Sequence, residues 1–400
     1  MSPALLICWR KWRRTMVEVQ DIFLQYGADY RKKHKLSLAQ LKAMSAIEKC
    51  RTSALGGHID ICESCGNTQI SYNSCRNRHC PKCQTLAKER WIDRQKGDLL
   101  NVGYFHVVFS VPDTLNPVIF QNQRILYQML FKAVAETLSE LAIDKKYLGA
   151  TLGFTSVLHT WGQNLMHHPH LHCIVPGGGL NPIGQWVNSR KKFFIPVKVL
   201  SRKFRGKYLF YLKQLYEQNK LKFCGNQQYL SDARDFERFL SSLYAKEWVV
   251  YCKPPFKDAS CIVEYLGRYT HRVAISNNRI LSLGNGNVTF KWRDYKDGSK
   301  WKVMTVSADE FIRRFLIHIL PNGFMKIRHY GLLGNRNKTT KLKLCQKLTN
   351  TPVISKEKAS TLNLIHKITG KDLSKCPHCG SDKLKCMGLG KSPPTSAKIA

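Results

Sequence analysis

The sequence has few acidic residues and no long apolar run. Its 400 residues include 27 Asp and Glu against 64 Lys and Arg, which leaves a formal net charge of +37. An excess of this size indicates a polyanionic partner. No stretch approaches the roughly 18 apolar residues of a membrane-spanning helix, and the apolar segment 4–8 is too short for the core of a signal peptide. We therefore expect a cytosolic protein without a membrane partner, and its hydrophobic fraction of 43% predicts a sizeable core.

A nucleotide-binding loop and a marked set of acidic metal ligands are also missing. Gly390-Lys391-Ser392 matches the end of the pattern G-x-x-x-x-G-K-[ST], but Lys385 stands where the first Gly of that loop is required. The chain therefore carries no helicase motor of this kind. Spacing alone does not exclude an active site built on carboxylates, yet nothing marks one among so few acidic residues.

Cysteine, in contrast, is abundant, with 15 residues. A disulfide scaffold is typical of small secreted chains, so we expect these thiols to be reduced and available to metals. Cys62-Glu-Ser-Cys65 and Cys80-Pro-Lys-Cys83 are two CxxC knuckles with fourteen residues between them. Four thiolates leave no open coordination position, which is typical of a structural zinc. The spacing predicts one zinc site, formed by Cys62, Cys65, Cys80 and Cys83.

Further cysteines and histidines surround these knuckles. If the intervening loops fold back, a second Cys2His2 set is available, and its members would be Cys50, His58, Cys75 and His79. The alternative is that Cys75 and His79 only pack beside the first zinc. Arg76 and Arg78 add positive charge and predict contacts to phosphates, with a solvated basic face as the alternative.

Near the C-terminus, Cys376-Pro-His-Cys379 is a single CxxC knuckle without an obvious partner. Cys386 is a candidate third ligand, and His378 or Cys345 a candidate fourth. The alternative is a remnant knuckle that binds no metal.

The segment His167-His168-Pro169-His170-Leu171-His172 predicts a second kind of metal site. In a β-strand, residues two apart face the same side, so His170 and His172 would point together. Two imidazoles leave open positions on a divalent cation, where phosphate oxygens can bind. We expect Gln163 to supply the third ligand, with His168 or His271 as alternatives.

A pair of tyrosines follows downstream. Asp258 or Ser260 can cap a helix on which Tyr265 and Tyr269 lie one turn apart. Such a pair is often a core stripe, but Arg268, His271 and Arg272 alongside it favour a phosphate-binding role. A tyrosine hydroxyl that attacks phosphorus leaves a phosphotyrosine diester, which a second hydroxyl can later reverse without a nucleotide cofactor.

The hydrophobic pattern also predicts regular elements. Helices are expected at 36–50 and 125–141 and, from a capping box at Ser307-Ala308-Asp309-Glu310, after residue 307. Strands are expected at 104–111, 153–161, 273–275, 280–283 and 288–292.

Together these motifs resemble the HUH-type tyrosine transposases of rolling-circle bacterial insertion sequences, the insertion-sequence-ninety-one group. The resemblance covers most of the chain. Its motifs are Ala54 to His58, Arg78 to Gln84, Tyr104-Phe105-His106-Val107-Val108-Phe109, His170-Leu171-His172, Lys253-Pro254-Pro255-Phe256, Tyr265 to Asn277, and Ile327-Arg328-His329-Tyr330-Gly331.

The resemblance implies an α+β fold, in which an HUH-like antiparallel sheet is flanked by helices and preceded by a zinc-ribbon-like module. The expected parts are an N-terminal zinc-binding module at 1–98, a catalytic domain at 99–335, and a basic C-terminal region at 336–400 that ends in a disordered tail. Structural Zn²⁺ and a catalytic Mg²⁺ or Mn²⁺ are the implied cofactors. His170 and His172 would hold the catalytic metal.

The implied activity is nicking and rejoining of single-stranded DNA at insertion-sequence ends through a 5′-phosphotyrosine. Tyr265 and Tyr269 would be the paired nucleophiles, and Arg76, Arg78, Arg268 and Arg272 would contact DNA. The implied location is the nucleoid of a bacterial cytoplasm, with host replication or helicase proteins separating strands. A noncatalytic zinc-ribbon regulator is the alternative, but it leaves the histidine and tyrosine pairs without a task.

Overall fold

A computed structural model describes residues 16–190, 195–256, 274–295, 297–352 and 359–390, together with Tyr265, Gly267 and His271. Helices and antiparallel strands mix throughout, which confirms the predicted α+β class. Within these ranges, no helix is both long enough and apolar enough to cross a membrane.

The regular elements of the described residues are as follows. The helices are α1 (Val19–Lys33), α2 (Leu38–Lys49), α3 (Pro81–Lys96), α4 (Asn116–Gln121), α5 (Gln123–Ile143), α6 (Val197–Glu217), α7 (Ala233–Ala245), α8 (Ala308–Leu316), α9 (Lys341–Leu348) and α10 (Thr361–Thr369). The strands are β1 (Gly57–Cys62), β2 (Thr68–Tyr72), β3 (Tyr104–Ser110), β4 (Gly153–Trp161), β5 (His167–Pro176), β6 (Gly178–Leu180), β7 (Trp186–Asn188), β8 (Val250–Phe256), β9 (Ile280–Gly284), β10 (Asn287–Asp294), β11 (Lys300–Ser307), β12 (Ile327–Gly331) and β13 (Leu384–Leu389).

Most of the predicted elements are confirmed. Helices 36–50 and 125–141 are α2 and α5, and the strands predicted at 104–111, 153–161, 280–283 and 288–292 are β3, β4, β9 and β10. The Ser307 hydroxyl accepts the Glu310 N–H and opens α8. The strand predicted at 273–275 is wrong over its described part, because Ala274 and Ile275 lie in a buried loop. The predicted disordered tail from residue 391 lies outside the described residues.

The central sheet has five antiparallel strands in the order β12-β4-β5-β3-β8. Alternation along its strands separates two faces. On one face, Phe105, Leu171 and Phe154 enter a large apolar core that also contains α5, α6 and α7. The opposite face carries histidines, among them His106 and His172. Helices α5, α6 and α7 therefore cover one side of the sheet, whereas Trp91 and Ile92 of α3 pack against Tyr104 and Ile174 on the side that carries the histidines.

A second core joins the N-terminal helices to a later part of the chain. Phe23 of α1 and Met44 of α2 pack with Phe290 of β10 and Phe311 and Phe315 of α8. The rings of Phe23 and Phe315 meet edge to face at 5.3 Å. The predicted boundary at residue 98 stays a prediction, although this packing crosses it.

The C-terminal segment returns to the N-terminal module. Strand β13 pairs with β1, which pairs with β2, so that the two ends of the chain form one three-stranded antiparallel sheet. Lys367 of α10 forms an ion pair of 2.9 Å with Glu89 of α3. The residues from 359 to 390 therefore belong to the same structural unit as the N-terminal knuckles.

Candidate active site and metal centres

The cysteines form two clusters of four, and their membership corrects the sequence prediction. Cys80 and Cys83 lie with Cys50 and Cys75, whereas Cys62 and Cys65 lie with Cys376 and Cys379. The prediction that the two N-terminal knuckles share one zinc is therefore wrong. Cys62 and Cys65 lie at the turn between β1 and β2, whereas Cys80 and Cys83 follow β2 at the start of α3, so each knuckle finds its partners elsewhere.

The predicted Cys2His2 set is also wrong, since Cys50 and Cys75 lie with Cys80 and Cys83 and without His58 or His79. His58 instead lies beside Asp60 at 3.5 Å, near Cys386. His79 lies 3.4 Å from the guanidinium of Arg78, which donates to it. Burial lowers the pKa of His79 to about 3, with Arg78 adding to the shift.

The first cluster has the dimensions of a zinc site. Cys50 Sγ lies 3.7 Å from Cys83 Sγ and 3.6 Å from Cys80 Sγ, and Cys75 Sγ lies 3.6 Å from Cys83 Sγ. Four sulfurs at about 2.3 Å from a tetrahedral zinc lie about 3.8 Å apart. Cys80 precedes α3 and Cys83 lies in its first turn, so these thiolates would anchor that helix.

Three buried imidazoles converge on the histidine-bearing face of the central sheet. Their nitrogens belong to His159, His170 and His172 and lie within 4.8 Å of one another. Antiparallel pairing brings them together, because His159 of β4 is directly opposite His170 of β5. The Nε2 atoms of His170 and His172 are 3.1 Å apart. His170 donates from Nδ1 to the carbonyl of His168 at 2.7 Å, so that its Nε2 is free of the proton. This donor set fits a divalent cation.

His159 was not predicted as a ligand, and Gln163 was. The Gln163 amide donates instead to the Tyr295 hydroxyl at 3.1 Å. The alternatives are not members of this group: the His168 ring lies against that of His170 with centroids 5.0 Å apart, and His271 packs on Trp91 with ring centroids 6.0 Å apart. Since a lone histidine in a buried strand is ordinarily a core residue, no local signal marked His159.

His106 connects the histidine cluster to the tyrosine segment. Its Nε2 lies 2.8 Å from Nδ1 of His172, and its Nδ1 lies 3.1 Å from the Tyr265 hydroxyl. The rings of His106 and His172 stack at 5.0 Å. His106 was not predicted as a site residue, because it is a single histidine in an otherwise largely apolar and buried strand.

Burial keeps these imidazoles neutral. It lowers the pKa of His106 to about 4, with Lys253 contributing, and the pKa of His170 to about 3, with His168 contributing. Neutral imidazole is the form that binds metals. Lys253 also lies 5.7 Å from the centroid of the Tyr265 ring and brings positive charge to the tyrosine.

Of the residues predicted downstream, the structure describes only some. Tyr265 contacts His106 through its hydroxyl. Tyr269, Arg268 and Arg272 lie outside the described residues. Gly267 packs against α3, because a Cβ built on it would lie 2.3 Å from Cδ1 of Ile92. The helix anchored by the first cysteine cluster therefore supports the tyrosine segment.

Arg76 and Arg78, the two DNA contacts predicted in the zinc module, lie in different environments. Arg78 is half buried and donates to the carbonyls of Pro321 and Phe324, which gives it a structural role. Arg76 lines a groove beside α3 together with Arg51, Arg90 and Arg94. Arg94 and His271 also line the neighbouring groove, whose other basic residues are Arg124 and Arg328. The two grooves therefore form one basic path past the tyrosine segment.

Comparison with known proteins agrees with this organisation. A family model described as "Transposase zinc-binding domain" matches residues 22–111, and one described as "Putative transposase" matches residues 153–341. The chain is 50% identical over 372 residues to "Putative transposase y4qJ" of Sinorhizobium fredii, covering 92% of this chain and 94% of that protein. It is 30% identical over 300 residues to "Transposase for insertion sequence element IS801" of Pseudomonas savastanoi pv. phaseolicola, covering 74% and 71%. No solved structure gives a significant match.

The matched regions contain the first cysteine cluster, all three histidine-bearing strands β3, β4 and β5, and the tyrosine segment. Both relatives are named as transposases. The chain therefore belongs to the IS91 family of transposases, enzymes that act on DNA, and carries the zinc-binding domain of that family at its N-terminal end.

Proposed function

We propose that this transposase cuts and rejoins single-stranded DNA through a covalent bond to Tyr265. The observation that carries the proposal is the continuous contact from the Tyr265 hydroxyl through His106 to the histidine cluster. A lone tyrosine in a core would not need this polar chain, and a DNA-binding regulator would not need the convergent imidazoles.

The reaction is a transesterification. The Tyr265 oxygen attacks phosphorus, a new O–P bond forms, and the bond to the 3′ oxygen of the preceding nucleotide breaks. The tyrosine hydroxyl loses one proton and the departing 3′ oxygen gains one. The product keeps the energy of a diester, so that another 3′-hydroxyl can attack the phosphotyrosine and release the enzyme.

His159, His170 and His172 would hold a divalent cation, which when bound polarises the phosphate and leaves positions open for its oxygens. Either Mg²⁺ or Mn²⁺ is compatible with the proposal. Two of the imidazoles offer Nε2 atoms only 3.1 Å apart, a spacing close to that of adjacent ligands in an octahedral site.

Binding of the cation at Nε2 of His172 would fix which ring nitrogen carries the proton in both His172 and His106. The proton then stays on Nδ1, which donates to Nε2 of His106, and His106 donates from Nδ1 to the Tyr265 oxygen. A donor at that position stabilises the phenolate. His106 thus positions the nucleophile, and Lys253 favours the same ionised form.

The path of the DNA follows the basic groove. Arg90 and Arg94 lie on α3 and Arg76 precedes it, and the groove that they line continues to Arg124 and Arg328. Phosphate contacts of this kind supply affinity without choice of sequence. Tyr269, four residues after Tyr265 in the sequence, is the proposed second nucleophile, and Arg268 and Arg272 are proposed phosphate contacts.

The test uses single-stranded oligonucleotides that span the ends of the element, with Mg²⁺ or Mn²⁺, a denaturing gel and mass spectrometry of peptides. We expect an adduct that maps to Tyr265 or Tyr269 and disappears in His170→Ala. Tyr229→Phe, which removes an exposed hydroxyl far from the histidines, is the matched control and should leave the adduct unchanged. Binding of every end sequence without any adduct would refute the proposal and favour a noncatalytic DNA-binding role.

A further inference from the structure

We propose that Cys62, Cys65, Cys376 and Cys379 hold a second structural zinc, which fastens the C-terminal segment to the N-terminal module. Cys62 Sγ lies 3.6 Å from Cys379 Sγ, and Cys65 Sγ lies 3.7 Å from Cys376 Sγ. These separations match the roughly 3.8 Å between sulfurs around a tetrahedral zinc and far exceed the roughly 2.05 Å of a disulfide. The donor set has four soft thiolates and no open position.

The two knuckles of this cluster have the same backbone structure. In the first, Cys62 N–H donates to the Asn67 carbonyl at 2.9 Å and Gly66 N–H donates to the Cys62 carbonyl at 2.8 Å. In the second, Cys376 N–H donates to the Ser381 carbonyl at 2.7 Å and Gly380 N–H donates to the Cys376 carbonyl at 2.9 Å.

The glycines explain why the sequence pattern is CxxCG in both places. Gly66 has φ of +69° and Gly380 has φ of +76°, a conformation that favours glycine. Backbone N–H groups of Ser64 and Cys65 face the Cys62 sulfur, and those of His378 and Cys379 face the Cys376 sulfur. Each knuckle therefore offers its thiolates to a metal in the same way.

Contacts around the cluster align the knuckles with each other. The Ser64 and Ser381 hydroxyls lie 2.8 Å apart, and Glu63 N–H donates to the Lys383 carbonyl at 3.0 Å. Strand β1 ends and strand β13 begins beside them, with Cys62 opposite Leu384. The cluster thus closes one end of the three-stranded sheet.

Neither matched family model contains the second knuckle, since the models end at residues 111 and 341. The proposed zinc would join residues more than 300 positions apart in sequence. A metal that closes so long a loop lowers the conformational entropy of the unfolded chain and thereby stabilises the folded chain. The fastened segment also carries α10, whose Thr361 and Leu364 line the groove that contains Arg76 and Arg90. Loss of the zinc would therefore loosen one wall of the proposed DNA path.

The first experiment counts tetrathiolate metals in the full chain. The protein is purified with zinc, the metal is measured by inductively coupled plasma mass spectrometry, and X-ray absorption gives the ligands. Cobalt substitution separates the cysteine sites from the histidine site, because only thiolates give intense sulfur-to-cobalt charge-transfer bands. We expect two tetrathiolate metals per chain, and a count of one in the wild-type protein would overturn the proposal.

The second experiment uses variants. Cys376→Ser/Cys379→Ser and Cys62→Ser/Cys65→Ser should each lose one of the two tetrathiolate metals and keep the other. Limited trypsin digestion should remove the C-terminal segment at least tenfold faster from the first variant. Cys386→Ser removes an exposed thiol from β13 and should keep both metals and wild-type protection. If the knuckle variants keep both metals, or the control loses one, the cluster is not the ligand set. Should a variant fail to fold, the wild-type count decides.

Discussion

His106 and His172 are joined by a contact of 2.8 Å between Nε2 and Nδ1, and on its other side His106 lies 3.1 Å from the Tyr265 hydroxyl. One neutral imidazole thus separates a proposed metal ligand from the proposed nucleophile. An outer partner of a ligating histidine fixes the tautomer and orientation of the ring. Here the same partner also touches the attacking oxygen.

Replacing His106 by Ala should slow adduct formation by roughly 100-fold, within the range for loss of a positioned proton donor or acceptor. It should also raise the pH at which cleavage reaches half its maximum, because the phenolate loses its donor. The measurement is the rate of adduct formation from pH 6 to 10. His106→Gln, whose amide can still donate, should restore part of the rate. An unchanged pH profile in His106→Ala would show that His106 only fills space.

The identity of the third ligand gives a second prediction. His159→Ala removes a proposed ligand and should weaken Mn²⁺ binding on the order of 100-fold. That is the upper end of the range for loss of a residue that only hydrogen-bonds to a ligand. Gln163→Ala should leave the affinity unchanged, because its amide is engaged with Tyr295. Electron paramagnetic resonance of free Mn²⁺ measures both. A loss of affinity in Gln163→Ala would instead mean that the loop between β4 and β5 closes over the cation.

Local patterns predicted the elements of this site well. Period-two alternation placed His170 and His172 on one face of a strand, since neighbouring side chains of a strand alternate by geometry. The alternation within one strand does not determine which other strands pair with it. His159 became a candidate ligand through the antiparallel register of β4 and β5, and the pairing of β3 with β5 brought His106 to His172.

The cysteines show the same limit more strongly. The CxxC spacing identified the two thiolates of each knuckle as candidate ligands, but the prediction joined the two knuckles that are nearest in sequence. Cys62 and Cys65 found their partners through the pairing of β1 with β13, which is a property of the whole chain. A signal was present in the sequence, because Cys376-Pro-His-Cys379-Gly380 repeats the pattern of Cys62-Glu-Ser-Cys65-Gly66.

Gly267 links the zinc module to the nucleophile. A Cβ at this position would lie 2.3 Å from Cδ1 and 2.7 Å from Cγ1 of the buried Ile92. Gly267→Ala should destabilise the protein by about 1–3 kcal/mol, as overpacking does, and should slow cleavage by displacing Tyr265. Urea unfolding and the adduct assay measure the two effects.

A double-mutant cycle tests the cause. Ile92→Ala removes both crowding atoms, so the double variant should be less destabilised than the two single changes added together. Gly206→Ala is the control, because nothing lies within 4 Å of its Cβ and the change should be neutral or slightly stabilising. Strict additivity would place the defect of Gly267→Ala in its backbone rather than in its contact with Ile92.

The last prediction concerns acid stability and His318. This buried side chain donates from Nε2 to the Leu165 carbonyl at 3.0 Å and accepts at Nδ1 from the Thr160 hydroxyl at 3.1 Å. Burial lowers its pKa to about 3, with His167 and Arg313 adding to the shift. Between these two values the unfolded chain, with a histidine pKa near 6.5, binds a proton at residue 318, whereas the folded chain does not. The contribution of His318 to the free energy of unfolding is therefore full above pH 6.5. It decreases as the pH falls toward 3, by up to about 1.4 kcal/mol per pH unit.

His318→Gln keeps a donor and an acceptor but cannot take up the proton. Between pH 6.5 and 5 its free energy of unfolding should therefore decline less steeply than that of the wild-type protein, by up to about 1.4 kcal/mol per pH unit. Urea unfolding at several pH values measures the slope. His366→Gln, at an exposed position of α10, should keep the wild-type slope. Equal slopes for His318→Gln and the wild-type protein would mean that His318 takes up its proton without unfolding, through a local opening around Leu165.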